Sequence, residues 1–433
     1  MNYIIVETGK TLGGIENFII ETVKKLTSDG NKVFILTKTN TTIYHQELIN
    51  KSNIEIINLG INKPVEYLLN SDIKKLKDYC YQHITRKMGN GVTTVICPFF
   101  DNLQLGLLLF AEDTSYRIFH IWGHPEDWVK TLKIYKNSGF HKRKIKNSKY
   151  FYQKSLLSKL FKEDADFYGG RIVPVFNSWY YETELSPEKI CTFPIEDIKK
   201  PYQEITYTLD GKIKVLWCGR FDEWKNEAII HISKCLDSIS QNTDMDISFD
   251  IIGYGSKKNT LYVKNNISSK NIEVNFLSYV SPQDLSGVMK EYHLGIGMGL
   301  SVKKMAQVGL PSIVIDSVDN KNIDKLKAEW LFNTFEGDAG DGYYFEMVGQ
   351  PLNNRHQLME LLSEVINNQH LLEVYSRRSR EFVEENYSQD KQIESFISCS
   401  NKSLFRGIGQ KIYRRNILLR VLFSIYSLLA GKN

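Results

Sequence analysis

The chain has 433 residues, too many for one ordinary hydrophobic core and about right for two domains. Apolar residues make up 42% and charged residues 24%, which excludes a disordered chain and reads as globular. The formal charge is +5 but unevenly placed: Val129–Lys162 carries 11 Lys or Arg, residues from Asn401 onward carry 7, and neither stretch has an acid, leaving 37 basic against 50 acidic residues elsewhere. This is an acidic body with two basic surfaces.

The six cysteines (Cys80, Cys97, Cys191, Cys218, Cys235, Cys399) form no CxxC pair and no Cys/His cluster, so buried free thiols in a reducing cytoplasm are expected. No run of about 18 uncharged apolar residues occurs, so no membrane span is expected. The opening NYIIV reads as a core strand rather than a signal peptide.

In chain order, Tyr3 to Val6 predicts a strand, Thr11-Leu12-Gly13-Gly14 a turn, and Ile15, Phe18, Ile19, Val23 and Leu26 a helix by their spacing. Asp29-Gly30 ends that helix and Lys32 to Thr37 predicts the next strand. Further strands are predicted at 54–59, 92–97, 117–122, 173–176 and 190–193, with helices between several of them. Glu196 to Thr208 is polar, contains Pro201 and reads as a linker. The alternation restarts with a strand at 212–218, a helix at 226–239 and strands at 249–252, 274–277 and 294–298. A helix to Val308 and a strand at 312–315 close the series. Repeated βα alternation predicts an α/β fold of two tandem doubly wound, Rossmann-like domains, with ligands beyond the strands' carboxyl ends in an inter-domain cleft. The boundaries expected are 1–200, 201–385, and 386–433 for a returning helix with a helical, basic and apolar tail.

Four glycine-bearing turns lie where such a fold meets its ligand. Gly13-Gly14 sits between the first strand and the first helix, where backbone and helix amino end suit a phosphate, or simply make a tight turn. Gly219-Arg220-Phe221-Asp222-Glu223-Trp224-Lys225 offers a guanidinium and an ammonium that can converge on a diphosphate, or is an ordinary solvated loop. Gly253 and Gly255, and then Gly297 and Gly299, are expected to let a ligand approach the backbone. Asp244-Met245-Asp246 precedes a strand and reads as a solvated turn, so no metal and no bound cofactor are expected.

The segments TLGGIENF, CGRFDEWKN, DIIGYGS, VNFLSYVSPQDL, GIGMGLS and GLPSIV occur in an order and spacing that resemble family 4 glycosyltransferases of the two-Rossmann, or GT-B, architecture. The resemblance covers most of residues 1–390. It implies a retaining enzyme using a nucleotide-sugar donor, with Gly13, Gly14, Arg220 and Lys225 facing the donor phosphates. It also makes His124, in FHIWGHPEDW, the match to the active-site histidine, while His120 reads as a core residue. The family's two glutamates eight positions apart fall on Ile296 and Lys304 here, and its aspartate before the GMG strand on His293. A lysine only donates hydrogen bonds, where the glutamate accepts them from a ribose. Lys304 therefore belongs among the donor-binding positions, and it also raises the alternative of a degenerate scaffold or activator of another glycosyltransferase.

The stretch HKRKIKNSKYFYQKSLLSKLFK interleaves cations with aromatic and apolar residues, and the tail repeats that composition. Lys142, Arg143, Lys144, Lys146, Lys149, Arg414, Arg415 and Arg420 are expected to dock on an anionic membrane surface, with a solvated helix as the plainer reading. Nucleic acid is set aside as a partner. The expected setting is cytoplasmic, peripheral on the inner face of the cytoplasmic membrane. The expected task is sugar transfer to a lipid-linked or glycan acceptor in surface-polysaccharide assembly of O-antigen or capsule type.

Overall fold

The computed structural model describes residues 1–7, 14–38, 48, 53–61, 63–88, 91–129, 147–185, 211–277, 280–318, 326–338, 340–408, 410, 412–414 and 417–429. The chain forms two compact units, Met1–Phe193 with Asp390–Asn433, and Pro194–Gln389. The expected linker, the strand at 190–193 and Gly13 lie outside the described residues.

The first unit is built on six strands: β1 (Asn2–Glu7), β2 (Lys32–Thr37), β3 (Ile54–Asn58), β4 (Thr93–Pro98), β5 (Tyr116–Trp122) and β6 (Asp166–Tyr168). They lie in the order β3-β2-β1-β4-β5-β6, parallel throughout, with Ile5 level with Ile35 on one side and Ile96 on the other. Helices on the faces bury the sheet, so its central strands are unbroken apolar runs. The helix Gly14–Ser28 lays Phe18, Ile19 and Val23 on Ile5, Ile35 and Ile96. The same cluster takes Ile393 and Phe396 from the helix Gln389–Lys402, with the Phe396 ring 4.9 Å from Phe18 and 5.6 Å from Phe119. Beyond that helix the chain runs beside β5, where Ile118 N donates to Phe405 O. Residues 390–433 thus complete the first core.

The second unit carries β7 (Lys212–Cys218), β8 (Asp246–Ile252), β9 (Glu273–Leu277), β10 (Leu294–Gly297), β11 (Ser312–Ile315) and β12 (Ala328–Trp330) in the order β12-β11-β10-β7-β8-β9. Only β12 runs antiparallel. Alternation along β7 sends Val215 and Trp217 to the helices Glu223–Ser240 and Leu358–Asn367. Leu216 and Cys218 turn the other way, to the cluster holding Val302 and Met305 of the helix Leu300–Gln307.

The segment expected as a strand at 173–176 is instead part of the helix Ile172–Tyr181. Ile172, Val173, Phe176 and Tyr180 share one buried face at helical spacing, and Pro174 falls in the first turn, where its missing N–H costs nothing. The sheet position expected there is filled by the short β6. Cys80, Cys97, Cys218 and Cys235 are buried free thiols, and Cys399 is partly buried.

Candidate functional site

In the second unit the crossovers from β7 and β10 lead in opposite directions. The crevice beyond their carboxyl ends is the switch point where such sheets take ligands. Three side chains converge there on Gly219, measured to the point a β-carbon on it would occupy. Trp217 Nε1 is 3.6 Å away, and Lys225 Nζ and Ser301 Oγ are each 3.8 Å away. Trp217 is fully buried and its Nε1 has no hydrogen-bond partner among the described residues.

Lys225 follows the turn of Asp222, which opens the helix Glu223–Ser240, and its ammonium lies 4.6 Å from the centre of the Trp224 ring. Burial pushes its amine down to about 8, helped by the charge of Arg220 and opposed by Asp222. Arg220 is 42% exposed and its Nη2 is 3.5 Å from Asp222 Oδ2, a loose pair that leaves most of its donors free. Lys304, in the helix Leu300–Gln307 after β10, makes its charge felt at the end of β7. The Cys218 thiol, pushed up to about 11 by burial, is drawn back by the charges of both Lys304 and Lys225. The adjacent Lys303 points elsewhere, buried 4.1 Å from the centre of the Tyr387 ring. Lys225 and Arg220 on the β7 turn, with the charge of Lys304 acting on Cys218, make the end of β7 electropositive, which suits a ligand with two or more negative charges.

The glycines divide into different roles. Gly299 starts the helix Leu300–Gln307 with φ 61° and ψ −136°, and a β-carbon on it would meet open space. Its backbone is thus the part of the β10 turn open to a ligand. Gly253 and Gly255 were expected to admit a ligand, but the space they leave is filled by the protein itself. A β-carbon on Gly253 would sit 2.2 Å from Gly219 O, and one on Gly255 2.6 Å from Phe221 O. Phe221 N donates to Tyr254 O at 2.8 Å, so the β8 turn braces the β7 turn. Gly297 likewise serves packing, with Met305 Cε 3.0 Å from its β-carbon position. A groove of about 550 Å³ opens beside the β7 turn, lined by Glu223, Asn226, Asn259 and Tyr262 among others.

In the first unit Gly14 opens the helix Gly14–Ser28. A β-carbon on Gly123 would lie 1.9 Å from Ile15 Cδ1, so the turn after β5 is seated against that helix's first turn. The turn that carries His124 therefore lies beside the start of the helix that Gly14 opens. His124 is partly buried, its Nδ1 accepts from Glu126 N at 3.1 Å, and its own N donates to Asp127 Oδ2 at 2.9 Å. Its neutral ring then carries the proton on Nε2. His120 is a core residue: Nδ1 donates to Cys97 O at 2.7 Å, Nε2 accepts from Trp128 Nε1 at 2.9 Å, and burial pushes its imidazole down to about 3.

Sequence reasoning missed a second group at the switch point between β1 and β4. Glu7 is buried at the end of β1, Lys38 follows β2, and Asp101 lies in the helix Phe100–Phe110 after β4, with Lys38 Nζ 3.7 Å from Asp101 Oδ2. Burial pushes the Lys38 amine below its ordinary value, opposed by Asp101 and then Glu7. Phe99 turns the chain there with φ 61° and ψ 157°, a conformation that costs a side-chain-bearing residue about 1–3 kcal/mol and that clusters at functional sites. The available signal was a charge closing an apolar run: YIIVE, FILTK and PFFD.

Of the expected membrane-docking cations, Lys142, Arg143, Lys144, Lys146 and Arg415 lie outside the described residues. Lys149 is turned inward: its Nζ is 2.8 Å from Glu66 Oε2, with the two side chains 6% and 10% exposed. It is a structural ion pair rather than part of a surface. Arg414 donates to Asn70 Oδ1 at 2.8 Å, and Arg414 and Arg420 both donate to Leu68 O. Among the described residues no three His, Cys, Asp or Glu are grouped to hold a metal ion.

No family model matches the chain. It is 21% identical over 409 residues to an uncharacterized glycosyltransferase of Methanocaldococcus jannaschii, covering 89% of this chain and 94% of that one. Among solved structures it is similar to a glycosyltransferase from Rickettsia africae, at TM-score 0.58 and 14% identity over 93% of this chain and 98% of that one. It is also similar to Anabaena HepE in complex with UDP and glucose, at TM-score 0.56 and 10% identity over 92% and 98%. A third is WaaG, a glycosyltransferase involved in lipopolysaccharide biosynthesis, at 0.54 and 11% over 91% and 99%. The fold is that of the two-Rossmann GT-B proteins.

Proposed function

We propose that the chain is a retaining, metal-independent glycosyltransferase that moves a sugar from a nucleotide-sugar donor to a lipid-linked glycan acceptor. The setting we propose is the inner face of the cytoplasmic membrane, in surface-polysaccharide assembly. The observation that carries the donor side is Lys225 Nζ standing beside Gly219, with Arg220 on the same turn and the open backbone of Gly299 on the turn after β10; the charge of Lys304 acts on the neighbouring Cys218. As the bond from the sugar to the diphosphate breaks, negative charge grows on the departing oxygen, and cations already in place stabilise it without reorganising. The resemblance carries retention and the placing of His124 beside the reacting sugar. The named glycosyltransferases of this fold, one of them involved in lipopolysaccharide biosynthesis, support the reaction class and pathway.

A second reading, a degenerate scaffold or activator of another glycosyltransferase, is favoured by Lys304 itself, a donor-only group where the resembling family carries an acceptor for the ribose. Thermal shift with UDP, GDP, ADP, CMP and their sugars separates the two. A nucleoside diphosphate at 100 times its Kd adds about 2.7 kcal/mol of stability, and Arg220→Ala and Lys225→Ala should remove that gain. No response to any of them would favour the scaffold.

A further inference from the structure

The structure assigns the helix Ile417–Leu429 to docking on an anionic lipid bilayer, lying along its surface with an apolar face in the lipid. The helix is attached to the first unit by its polar side. Ser424 Oγ accepts from Lys63 Nζ at 3.3 Å, and Arg420 Nη1 donates to Leu68 O at 3.4 Å. Turned away from the rest of the protein are Ile417, Leu418, Val421, Leu422 and Ile425, each between 40% and 68% exposed. At 100° per residue these five fall within one arc of roughly 140°. This inverts the usual surface helix, which buries such a face in its own core. Leu404 and Ile408, just before it, are also exposed, and Leu261 is the one exposed Leu, Ile or Val among the described residues outside this tail.

Charge identifies the occupant. Lys63, Arg414 and Arg420 meet at the helix edge with Asp72 as their carboxylate, Lys63 Nζ standing 3.0 Å from Asp72 Oδ2. Both guanidiniums share the Leu68 carbonyl, and the Nε of each has no hydrogen-bond partner among the described residues. An apolar face bordered by surplus positive charge, on a tail of 33 residues with no acid, fits phosphate-bearing lipid headgroups over acyl chains. A second copy of the chain fits less well. A stable dimer buries about 800 Å² per partner through about 20–30 residues, more than five side chains of one 13-residue helix supply. That helix is about 20 Å long against a hydrocarbon core of about 30 Å, so it lies on the bilayer. Among the described residues no helix is long and apolar enough to cross.

The inference deepens the reading of a membrane-borne acceptor, yet its test needs no donor, so its failure leaves the nucleotide experiment untouched. The full chain is sedimented with vesicles of phosphatidylcholine alone and with phosphatidylglycerol added. We expect pelleting with the anionic vesicles, weakening as salt rises, and at least tenfold weaker binding in Leu418→Glu/Leu422→Glu. These are exposed positions, so the variant should keep the wild-type melting temperature. In Leu422→Trp, fluorescence should be quenched by brominated lipid more than in wild type. Wild-type chain remaining in the supernatant, or the double variant pelleting equally well, would overturn the proposal. So would a wild-type dimer that the double variant converts to a monomer without any vesicle binding.

Discussion

Gly253 has no side chain because Gly219 O occupies the place where one would begin, 2.2 Å from the β-carbon position. The two glycines end neighbouring strands, and their contact holds the β7 turn, with Arg220 and Lys225 on it, against the β8 turn. The obstacle is backbone, which cannot swing aside as a side-chain tip can.

Gly253→Ala should therefore destabilise the protein by about 1–3 kcal/mol, the usual cost of forced overpacking. Gly287→Ala is the control, being helical with nothing within 4 Å of its β-carbon position. It should be neutral or slightly stabilising. Urea unfolding compares the two; an unchanged midpoint for Gly253→Ala would contradict the brace.

Lys225 predicts a pH dependence of both stability and binding. Its amine, at about 8 in the folded protein, is below its ordinary 10.5. The unfolded chain therefore binds the extra proton between those values, and this group's contribution makes stability rise with pH across that window. Anion binding has the opposite sign, since a diphosphate needs the ammonium. UDP affinity by titration calorimetry should fall above about pH 8, by up to about tenfold per pH unit. Lys225→Met should bind more weakly and lose that slope; an unaltered slope would place the titrating group elsewhere.

At the end of β11, Arg355 Nη2 bridges Asp316 Oδ1 at 3.1 Å and Asp338 Oδ2 at 2.7 Å, all three side chains no more than 2% exposed. Arg355→Met leaves two carboxylates buried together and should cost about 3–5 kcal/mol. Burial pushes the Asp316 carboxyl up to about 7 even with Arg355 present. Protonation then relieves much of the strain, so the deficit should be smaller at pH 5 than at pH 8, read from denaturant unfolding. An equal deficit at both values would point to lost packing alone.

Lys149→Met separates structural from solvated cations on one helix. The substitution breaks a nearly enclosed ion pair with Glu66, at a cost of about 3–5 kcal/mol. Lys162→Ala, at the exposed end of the same helix Ser148–Lys162, should stay within about 0.5 kcal/mol. Equal melting temperatures for the two variants would refute the buried pair.

Much of the candidate site was legible because function at a switch point depends on where strands end. Arg220, Lys225 and Lys304 could be located from strand endings and from the resemblance. The approach of Ser301 Oγ to Gly219 rests on β7 and β10 being neighbours, and no local pattern records which strands pair. The Glu7, Lys38 and Asp101 group escaped for the same reason, being three strand ends far apart in the chain.

The sequence by itself determined the βα alternation and the places of its long strands. Lys32–Thr37, Lys212–Cys218 and Ser312–Ile315 stand where their apolar runs put them, because strands buried on both faces must be apolar throughout. Tertiary structure alone decided what depends on a distant partner. It made Val173–Phe176 helical against the core, and placed the three-residue β6 and β12, too short to carry a period, at the sheet edges. It turned Lys149 toward Glu66, assigned Gly253 to a backbone contact, and sent residues 390–433 back to the first core through Phe396. Local periodicity reports which face of an element is buried; the identity of the atoms that bury it is set by contacts from about 30 to several hundred residues away.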